Sequence, residues 1–508
     1  SIYSSSAASI GNFLICSSGS LSGGNNTAIG SAALSANTTG YNNTAVGKSS
    51  LTTNTTDVNN TAHGLGALQL NTTGASNVAV GLNSLNANTT ASNNTAVGFN
   101  SLLSNTTGDY NTAIGQLSLT TNITGRFNVA SGVDALRRNT TGSFNTATGY
   151  TALEDNTTAD NNTAYGAYAL GANTTGTQNV AVGALALDAG TTNTNCVAVG
   201  YSSLSANTAD NNVAVGAGAM EVNTSGTINT ALGSFALDAN TTGSYNTALG
   251  YGALTSCTTT DSNTAIGSRT LDAMTTGSQN CALGEASLYR VTTGIRNAGL
   301  GTESATNITT GSNNTCVGTF AGDAITEGNN NIIIGYVSDV STGSGSSQFV
   351  LGNGVTCVGD GNFTFGDGTS DSNIANGATT ITAPSDIRLK EDIQDEEVGL
   401  DFINDLRPVT CLWKKEKDIP SDINSYKESS EKRTMNGKYN HGFIAQEVKE
   451  VIDNHNLKDG FDMWQEDEVD GRQRVAPSAI MSVMVKAVQE LSSQVDELKA
   501  EIQTLKGE

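Results

Sequence analysis

Residues 30–46 read GSAALSANTTGYNNTAV, and variants of this stretch follow one another along most of the chain. A glycine recurs in a constant 17-residue step from Gly30 to Gly200, the step to Gly216 is shorter by one residue, and the original step then resumes as far as Gly352. A fixed period is the signature of a repeat architecture in which each unit stacks on its neighbours. The sequence therefore predicts a long stack of similar coils.

Each repeat contains one short stretch with strand propensity. Residues 43–47 read NTAVG, in which Thr and Val favour an extended backbone and the glycine permits a tight turn. Thr44 and Val46 would face one way and Ala45 the other. Neither face is clearly polar, so we expect one face to be covered by the coil's own interior and the other by neighbouring chains.

Three residue columns accompany the glycines. A leucine lies four residues after most of these glycines, and asparagines lie seven residues after and four residues before most of them. Stacked coils would turn the leucines into an apolar ladder, and the asparagines could bond to turns and from one coil to the next. The leucine column is Leu34, Leu51, Leu68, Leu85, Leu102, Leu119, Leu136, Leu153, Leu170, Leu187 and Leu204, continued by Met220, Leu237, Leu254, Leu271 and Leu288. The asparagine columns begin with Asn37, Asn54 and Asn71, and with Asn26, Asn43 and Asn60.

So short a coil holds little apolar area, and a single chain would therefore be thin and marginally stable. We therefore expect the shaft to consist of three chains arranged around one axis. At about 4.8 Å per coil, twenty coils would make a rod on the order of 100 Å long. Two geometries remain open: a β-roll in each chain, or an interwound triple β-helix. The repeats resemble the shafts of viral fibres and, more loosely, the left-handed β-roll heads of trimeric autotransporter adhesins, which share the S/T-x-A-x-G pattern.

Composition and charge argue against several kinds of partner. The formal net charge is −23, of which −13 lies in residues 1–384 and −10 in residues 385–508. Neither part has a basic face, so nucleic acid is not an expected partner. No apolar run is long enough to insert into a membrane, and no signal peptide is recognised at the N-terminus.

The cysteines suggest neither a disulfide framework nor a metal site. Their number is odd and no C-x-x-C motif occurs. Cys196, Cys257, Cys281 and Cys316 occupy positions where neighbouring repeats carry Asn, Asn, Thr or Val, and Ala, in that order. We expect these four to be small buried thiols. No cofactor and no metal are predicted. The seven cysteines are Cys16, Cys196, Cys257, Cys281, Cys316, Cys357 and Cys411.

The sequence changes character at residues 383–392, APSDIRLKED, where the first proline of the chain appears and charges become frequent. Three motifs follow in order: SDIRLK at 385–390, GLDFINDLRPVTCLWK at 399–414 and HGFIAQEV at 441–448. A helix is predicted over roughly residues 477–507, with apolar residues spaced alternately three and four apart. That spacing is a heptad seam typical of a coiled coil. The seam comprises Met481, Met484, Val488, Leu491, Val495, Leu498, Ile502 and Leu505.

Together these features resemble the C-terminal intramolecular chaperone domain of phage tailspikes and fibres, the endosialidase-type self-cleaving family. The resemblance implies a domain that trimerises, guides folding of the β-rich body ahead of it and then cuts itself off beside the serine of SDIRLK. It implies Ser385 as the nucleophile and Lys390 as its base, with Asp386 orienting the backbone or assisting the leaving group. A lysine can act as a base only when neutral, which burial or a nearby positive charge such as Arg388 favours.

The predicted organisation is mainly β: a trimeric repeat shaft followed by an α+β chaperone domain that ends in a coiled coil. We expect an N-terminal leading segment at 1–25, the 17-residue repeat shaft at 26–335 and a β neck at 336–384. The chaperone and self-cleavage domain would occupy 385–476, and the trimeric coiled-coil helix 477–508.

The predicted function is structural. We expect a homotrimeric tail-fibre or tailspike shaft of a phage virion that attaches to a glycan or protein receptor on the host cell surface, with autoproteolysis as a single-turnover event. The alternative is a bacterial surface adhesin or extracellular filament that uses the same chaperone. A glycan-cleaving tailspike would need paired carboxylates. The shaft's few acids, among them Asp109, Glu154, Asp155 and Glu285, form no repeated pair.

Overall fold

The structure, a computed structural model, describes residues 23–369, 371–378, 381–382, 385, 387, 390–421, 423, 425–435, 437–457, 461–466 and 471–507. The chain divides into two units, Ser1–Pro384 and Ser385–Glu508. The first is a β-solenoid, and the second is a small α+β domain with a long C-terminal helix.

Within its described residues, the solenoid contains twenty-two short strands in one sheet. They are β1 Thr27–Ile29, β2 Thr44–Val46, β3 Thr61–His63, β4 Val78–Val80, β5 Thr95–Val97, β6 Thr112–Ile114, β7 Val129–Ser131, β8 Thr146–Thr148, β9 Thr163–Tyr165, β10 Val180–Val182, β11 Val197–Val199, β12 Val213–Val215, β13 Thr230–Leu232, β14 Thr247–Leu249, β15 Thr264–Ile266, β16 Cys281–Leu283, β17 Ala298–Leu300, β18 Thr315–Val317, β19 Ile332–Ile334, β20 Phe349–Gly352, β21 Asn362–Gly366 and β22 Ser372–Ala375.

Successive strands pair in parallel, with each residue opposite its equivalent in the next coil. Thr44 lies opposite Thr61, and the one shortened coil keeps the same register, with Val197 opposite Val213. Parallel pairing continues to β21, and β22 pairs antiparallel with it. The predicted 17-residue coils are confirmed. Because the coils pair within one chain, the structure has the single-chain stack and not the interwound triple β-helix.

The solenoid core is a narrow apolar column. The middle residue of a typical strand is a buried alanine such as Ala45, and the leucine column is fully buried or nearly so, as predicted. These leucines adopt a left-handed backbone conformation, with φ of 49° at Leu51. That conformation costs about 1–2 kcal/mol in a residue with a Cβ atom. Burying a leucine side chain returns about 1.5–3 kcal/mol, and Leu51 N also donates to Ala67 O at 3.0 Å.

The two asparagine columns form buried hydrogen-bond ladders. In the column seven residues after the glycine, Asn54 Nδ2 donates to Asn37 Oδ1 at 3.0 Å, and Asn71 Nδ2 donates to Asn54 Oδ1 at 3.0 Å. In the other column, Asn60 N donates to Asn43 Oδ1 at 3.0 Å, and Asn60 Nδ2 donates to Gly74 O at 2.9 Å. The expectation that stacked asparagines bond one coil to the next is confirmed.

The expectation of a buried thiol holds for three of the four repeat cysteines. Cys196, Cys257 and Cys316 are buried, but Cys281 is exposed. Cys281 is the first residue of β16, and side chains at that strand position point away from the core. The expectation of a buried thiol is therefore wrong for Cys281. Cys16 lies outside the described residues.

Within its described residues, the second unit contains three helices and two small antiparallel sheets. The helices are α1 Leu400–Asp405, α2 Ala445–Asn454 and α3 Met481–Lys506, and short 3₁₀ turns span Glu416–Asp418 and Pro477–Ile480. The strands are β23 Val409–Cys411, β24 Asn440–Gly442, β25 Trp464–Glu466 and β26 Gln473–Val475, with β23 paired to β24 and β25 to β26. Their common core includes Phe402, Leu406, Val448, Ile452 and Val483. None of the helices within the described residues is long and apolar enough to cross a membrane.

Candidate functional site

The serine and the lysine of the SDIRLK motif meet in the structure. Lys390 N donates to Ile387 O at 3.2 Å. Lys390 Nζ donates to Ser385 Oγ at 2.8 Å. The five-residue spacing in the sequence is thus a contact in space.

A distance of 2.8 Å between Lys390 Nζ and Ser385 Oγ is short enough for direct proton transfer between a hydroxyl and an amine. The hydrogen bond as it stands runs from the amine to the hydroxyl oxygen. Activation of a serine needs the opposite direction, in which a neutral amine accepts the hydroxyl proton. Ser385 and Lys390 are both exposed in the single chain. The arrangement therefore provides the contact, while the water exclusion that favours a neutral amine has to come from elsewhere.

Apolar side chains beside the serine and lysine are also exposed. Ile387 is 73% exposed and Ile393 is 61% exposed. Asp386, Arg388 and Pro384 lie outside the described residues, so the structure gives no geometry for them.

The GLDFINDL motif builds the helix that anchors the segment after the site. Phe402 is buried in the core and α1 packs against α3. The Glu490 carboxylate on α3 accepts a hydrogen bond from Leu400 N at 2.8 Å and so caps the first turn of α1. A Cβ atom on Gly399 would lie 2.3 Å from the same carboxylate oxygen. The glycine of the motif therefore leaves room for a cap supplied by a distant helix.

The HGFIAQEV motif connects β24 to α2 and holds both to the rest of the unit. Glu447 on α2 pairs with Arg407, whose Nε donates to Glu447 Oε2 at 2.9 Å, and this contact lowers the pKa of the Glu447 carboxyl. His455 Nε2 lies 2.8 Å from Asp405 Oδ2. The sequence reasoning did not anticipate these pairs or the Glu490 cap. Their members are 40, 50 and 90 residues apart, and no local pattern connects them.

The heptad seam of α3 is open to solvent in the single chain. Its side chains range from 41% exposed at Val495 to 86% exposed at Leu505. On another side of the same helix, Val483 and Ala487 are buried against the domain. A helix with one apolar side packed and a second apolar stripe exposed is suited to association with other helices.

The acids of the shaft that could have served glycan cleavage are largely paired with arginine. The distances are 3.6 Å for Arg126–Asp109, 3.3 Å for Arg137–Glu154 and 2.7 Å for Arg138–Asp155. Such partly exposed pairs are ordinary surface features of modest energy. The described residues contain no group of three or more His, Cys, Asp or Glu that could hold a metal ion.

Comparison with known proteins identifies the second unit. Residues 385–457 match the model of the family described as chaperone of endosialidase. The match begins at Ser385 and covers the three motifs at 385–390, 399–414 and 441–448. No curated protein and no solved structure is significantly similar to the chain. The chain therefore carries an endosialidase-type chaperone domain after a long β-solenoid.

Proposed function

We propose that the chain is the shaft of a trimeric viral tail fibre or tailspike, folded by its C-terminal chaperone domain, which then removes itself by cutting beside Ser385. The observation that carries the proposal is the 2.8 Å contact between Lys390 Nζ and Ser385 Oγ at the first residue of the matched family region. In this proposal the shaft belongs to a virion, and its partner outside the trimer is a glycan or protein receptor on the host cell.

The need for a chaperone follows from the repeat. Each strand pairs with its equivalent in the next coil, and a slip of one whole coil would preserve most contacts. Three such chains cannot select a common register from the repeats alone. A C-terminal nucleus in which three heptad seams associate would align the chains before the solenoids pack together. The exposed seam of α3 supports this step.

Cleavage requires an environment that the single chain does not provide. Trimer formation would cover the exposed Ile387 and Ile393 and desolvate the nearby amine, which favours its neutral form. Ser385 Oγ then attacks the carbonyl carbon of the preceding residue, and its proton passes to Lys390 Nζ. The backbone nitrogen of Ser385 leaves with a proton returned by the same amine. Water hydrolyses the resulting ester and separates the two pieces, so each chain reacts once.

Loss of the chaperone after folding has a physical benefit. Severing the nucleus removes the route by which the assembled shaft could unfold from that end, so the fibre is held by kinetic stability. Coupling cleavage to trimer formation also ensures that unassembled chains keep their chaperone.

The test is the intact mass of the recombinant chain under denaturing conditions. We expect the wild type to separate into two pieces that meet at residue 385, and Ser385→Ala to stay whole. Lys390→Arg should also stay whole, because arginine keeps the charge and the donors but does not release its proton. Ser421→Ala, an exposed serine of the same unit, is the matched control and should cleave like the wild type. A cleaved Ser385→Ala chain would refute the assigned nucleophile.

A further inference from the structure

The outward face of the solenoid strands differs from the rest of the shaft surface. The first and third residues of β1 to β20 point away from the core, and these forty positions include no Asp, Glu, Lys or Arg. We call this surface the strand face. Most of its positions hold Thr, Val, Ile or Leu, as in Thr44 and Val46 of β2, and His63 is its single histidine.

The strand face is open to solvent in the single chain. Its third-position residues Ile114, Leu232 and Leu283 are 46%, 42% and 49% exposed. Nineteen steps of about 4.8 Å give a length of about 90 Å, and a three-residue strand is about 10 Å wide. The area is on the order of 900 Å², close to the roughly 800 Å² that each partner contributes to a stable protein interface.

Charge is excluded from this face although the rest of the shaft is acidic. Residues 1–384 carry 20 Asp or Glu and seven Lys or Arg. Between the start of β1 and the end of β20, all charged residues lie in the turns and connecting segments. Two copies of a chain with the same net charge repel each other wherever their charged turns approach. A charge-free strip is therefore the surface along which identical acidic chains can meet without burying unpaired charges.

A second exposed apolar feature lacks this continuity. The rings of Tyr110, Phe127 and Phe144 stack at 5.1 Å along one edge of the shaft. This stack covers only three coils, it lies beside Asp109 and Arg126, and its rings already cover each other's faces. The strand face, by contrast, runs from β1 to β20.

We propose that the strand face is the contact between subunits of the shaft, and that its occupants are further copies of this chain, parallel and in the same register. The inference rests on the proposed trimer and names the surface that would hold it together. A second copy repeats its apolar rows at the same spacing, so every row can meet an equivalent row. A partner of another fold would have to present the same spacing over about 90 Å.

Native Cys281 reports directly on this contact because it lies on the strand face in β16 and is exposed in the single chain. The experiment expresses the whole chain, treats the purified product with N-ethylmaleimide under native conditions and follows each cysteine peptide by mass spectrometry. In the trimer we expect Cys281 to react at least tenfold more slowly than it does in Leu232→Asp, described next. Buried Cys196 and Cys257 are internal references for intact coils.

The matched variants are Leu232→Asp on the strand face and Ile228→Asp in a turn of the same repeat. The two wild-type residues are similarly exposed, Leu232 at 42% and Ile228 at 49%. Native mass spectrometry should show loss of the trimer in Leu232→Asp and its retention in Ile228→Asp. If the wild type is a trimer but Cys281 reacts as fast as in unfolded protein, the strand face is not the contact between subunits. The proposed function would not be affected by that result. A monomeric wild type would overturn the trimer itself. If Leu232→Asp fails to fold, the rate at which Cys281 reacts in unfolded wild-type protein becomes the reference. The labelling of Cys281 in the wild type then tests the proposal by itself.

Discussion

The buried asparagine ladder offers the sharpest quantitative prediction. Asn105 is fully buried, and its Nδ2 donates to Asn88 Oδ1 at 3.1 Å and to Gly108 O at 3.0 Å. Its Oδ1 accepts from Asn122 Nδ2 at 2.8 Å. Asn105→Ala would leave the Asn88 and Gly108 oxygens without this donor. A buried polar group deprived of its partner costs about 1–3 kcal/mol.

The Asn88 and Gly108 oxygens would lose a donor, and the Asn122 amide would lose one of its acceptors. Together these losses predict that the free energy of unfolding of the coils around residue 105 falls by about 3–5 kcal/mol. Because each coil of a repeat protein contacts mainly its neighbours, the effect should be local. Hydrogen exchange measured by mass spectrometry reads out local stability. Protection of amides in residues 88–122 should fall between about a hundredfold and a few thousandfold, since each 1.4 kcal/mol is about tenfold.

Asn307→Ala is the control for the ladder variant. Asn307 lies on the same solenoid but is half-buried, and its Nδ2 donates to Asp323 O at 2.8 Å. Its replacement should cost no more than about 1.5 kcal/mol. If Asn105→Ala disturbs exchange as little as Asn307→Ala does, the ladder does not stabilise the stack and the reasoning is refuted.

Three other perturbations test separate parts of the fold. In Gly149→Ala, the new Cβ atom would lie 2.4 Å from a backbone oxygen of the next coil, at a residue whose φ is 139°. This substitution should therefore lower the melting temperature sharply. In the control Gly171→Ala, the Cβ atom would lie 3.2 Å from its nearest neighbour, and the melting temperature should fall much less. Burial, reinforced by a neighbouring carboxyl, raises the pKa of Asp339 to about 7 from 3.8. The folded chain therefore holds this proton more tightly than the unfolded chain, and the stabilisation, complete below about pH 4, is lost as the pH rises through 7. The melting temperature of the wild type should fall between about pH 5 and pH 8, and a fall of equal size in Asp339→Asn would contradict this assignment. Glu490→Ala removes the cap of α1 and should destabilise the second unit by about 1 kcal/mol in chemical denaturation, while Glu497→Ala, exposed on the same helix, should have little effect.

The repeat made much of the solenoid predictable. The glycine period set the coil length, and the leucine and asparagine columns identified the core and its ladders. These inferences succeeded because equivalent residues stack on each other in this fold, so a column in the sequence is a column in space. Thr44 opposite Thr61 is one example among many.

The features that sequence reasoning missed depend on local backbone geometry or on distant contacts. Leucines such as Leu51 rarely adopt a left-handed conformation, and propensity alone argues against it. Cys281 is exposed because it is the first residue of β16, where side chains point away from the core. The Glu490 cap joins residues 90 positions apart, and no spacing rule reaches that far.

The candidate site was predicted through the order of its motifs and not through its geometry. A serine five residues before a lysine has little meaning alone. The structure adds the contact between Lys390 Nζ and Ser385 Oγ at 2.8 Å. The assignment of Ser385 and Lys390 as nucleophile and base stays a prediction, and Asp386 stays an untested third member.

The most direct test of the account is native mass spectrometry of the purified wild-type protein. The account predicts a complex of three shafts, each ending near residue 384, with the C-terminal piece released or held only non-covalently. Single full-length chains, or three uncut full-length chains, would contradict the claim that a trimerising chaperone completes the shaft and then cuts itself away.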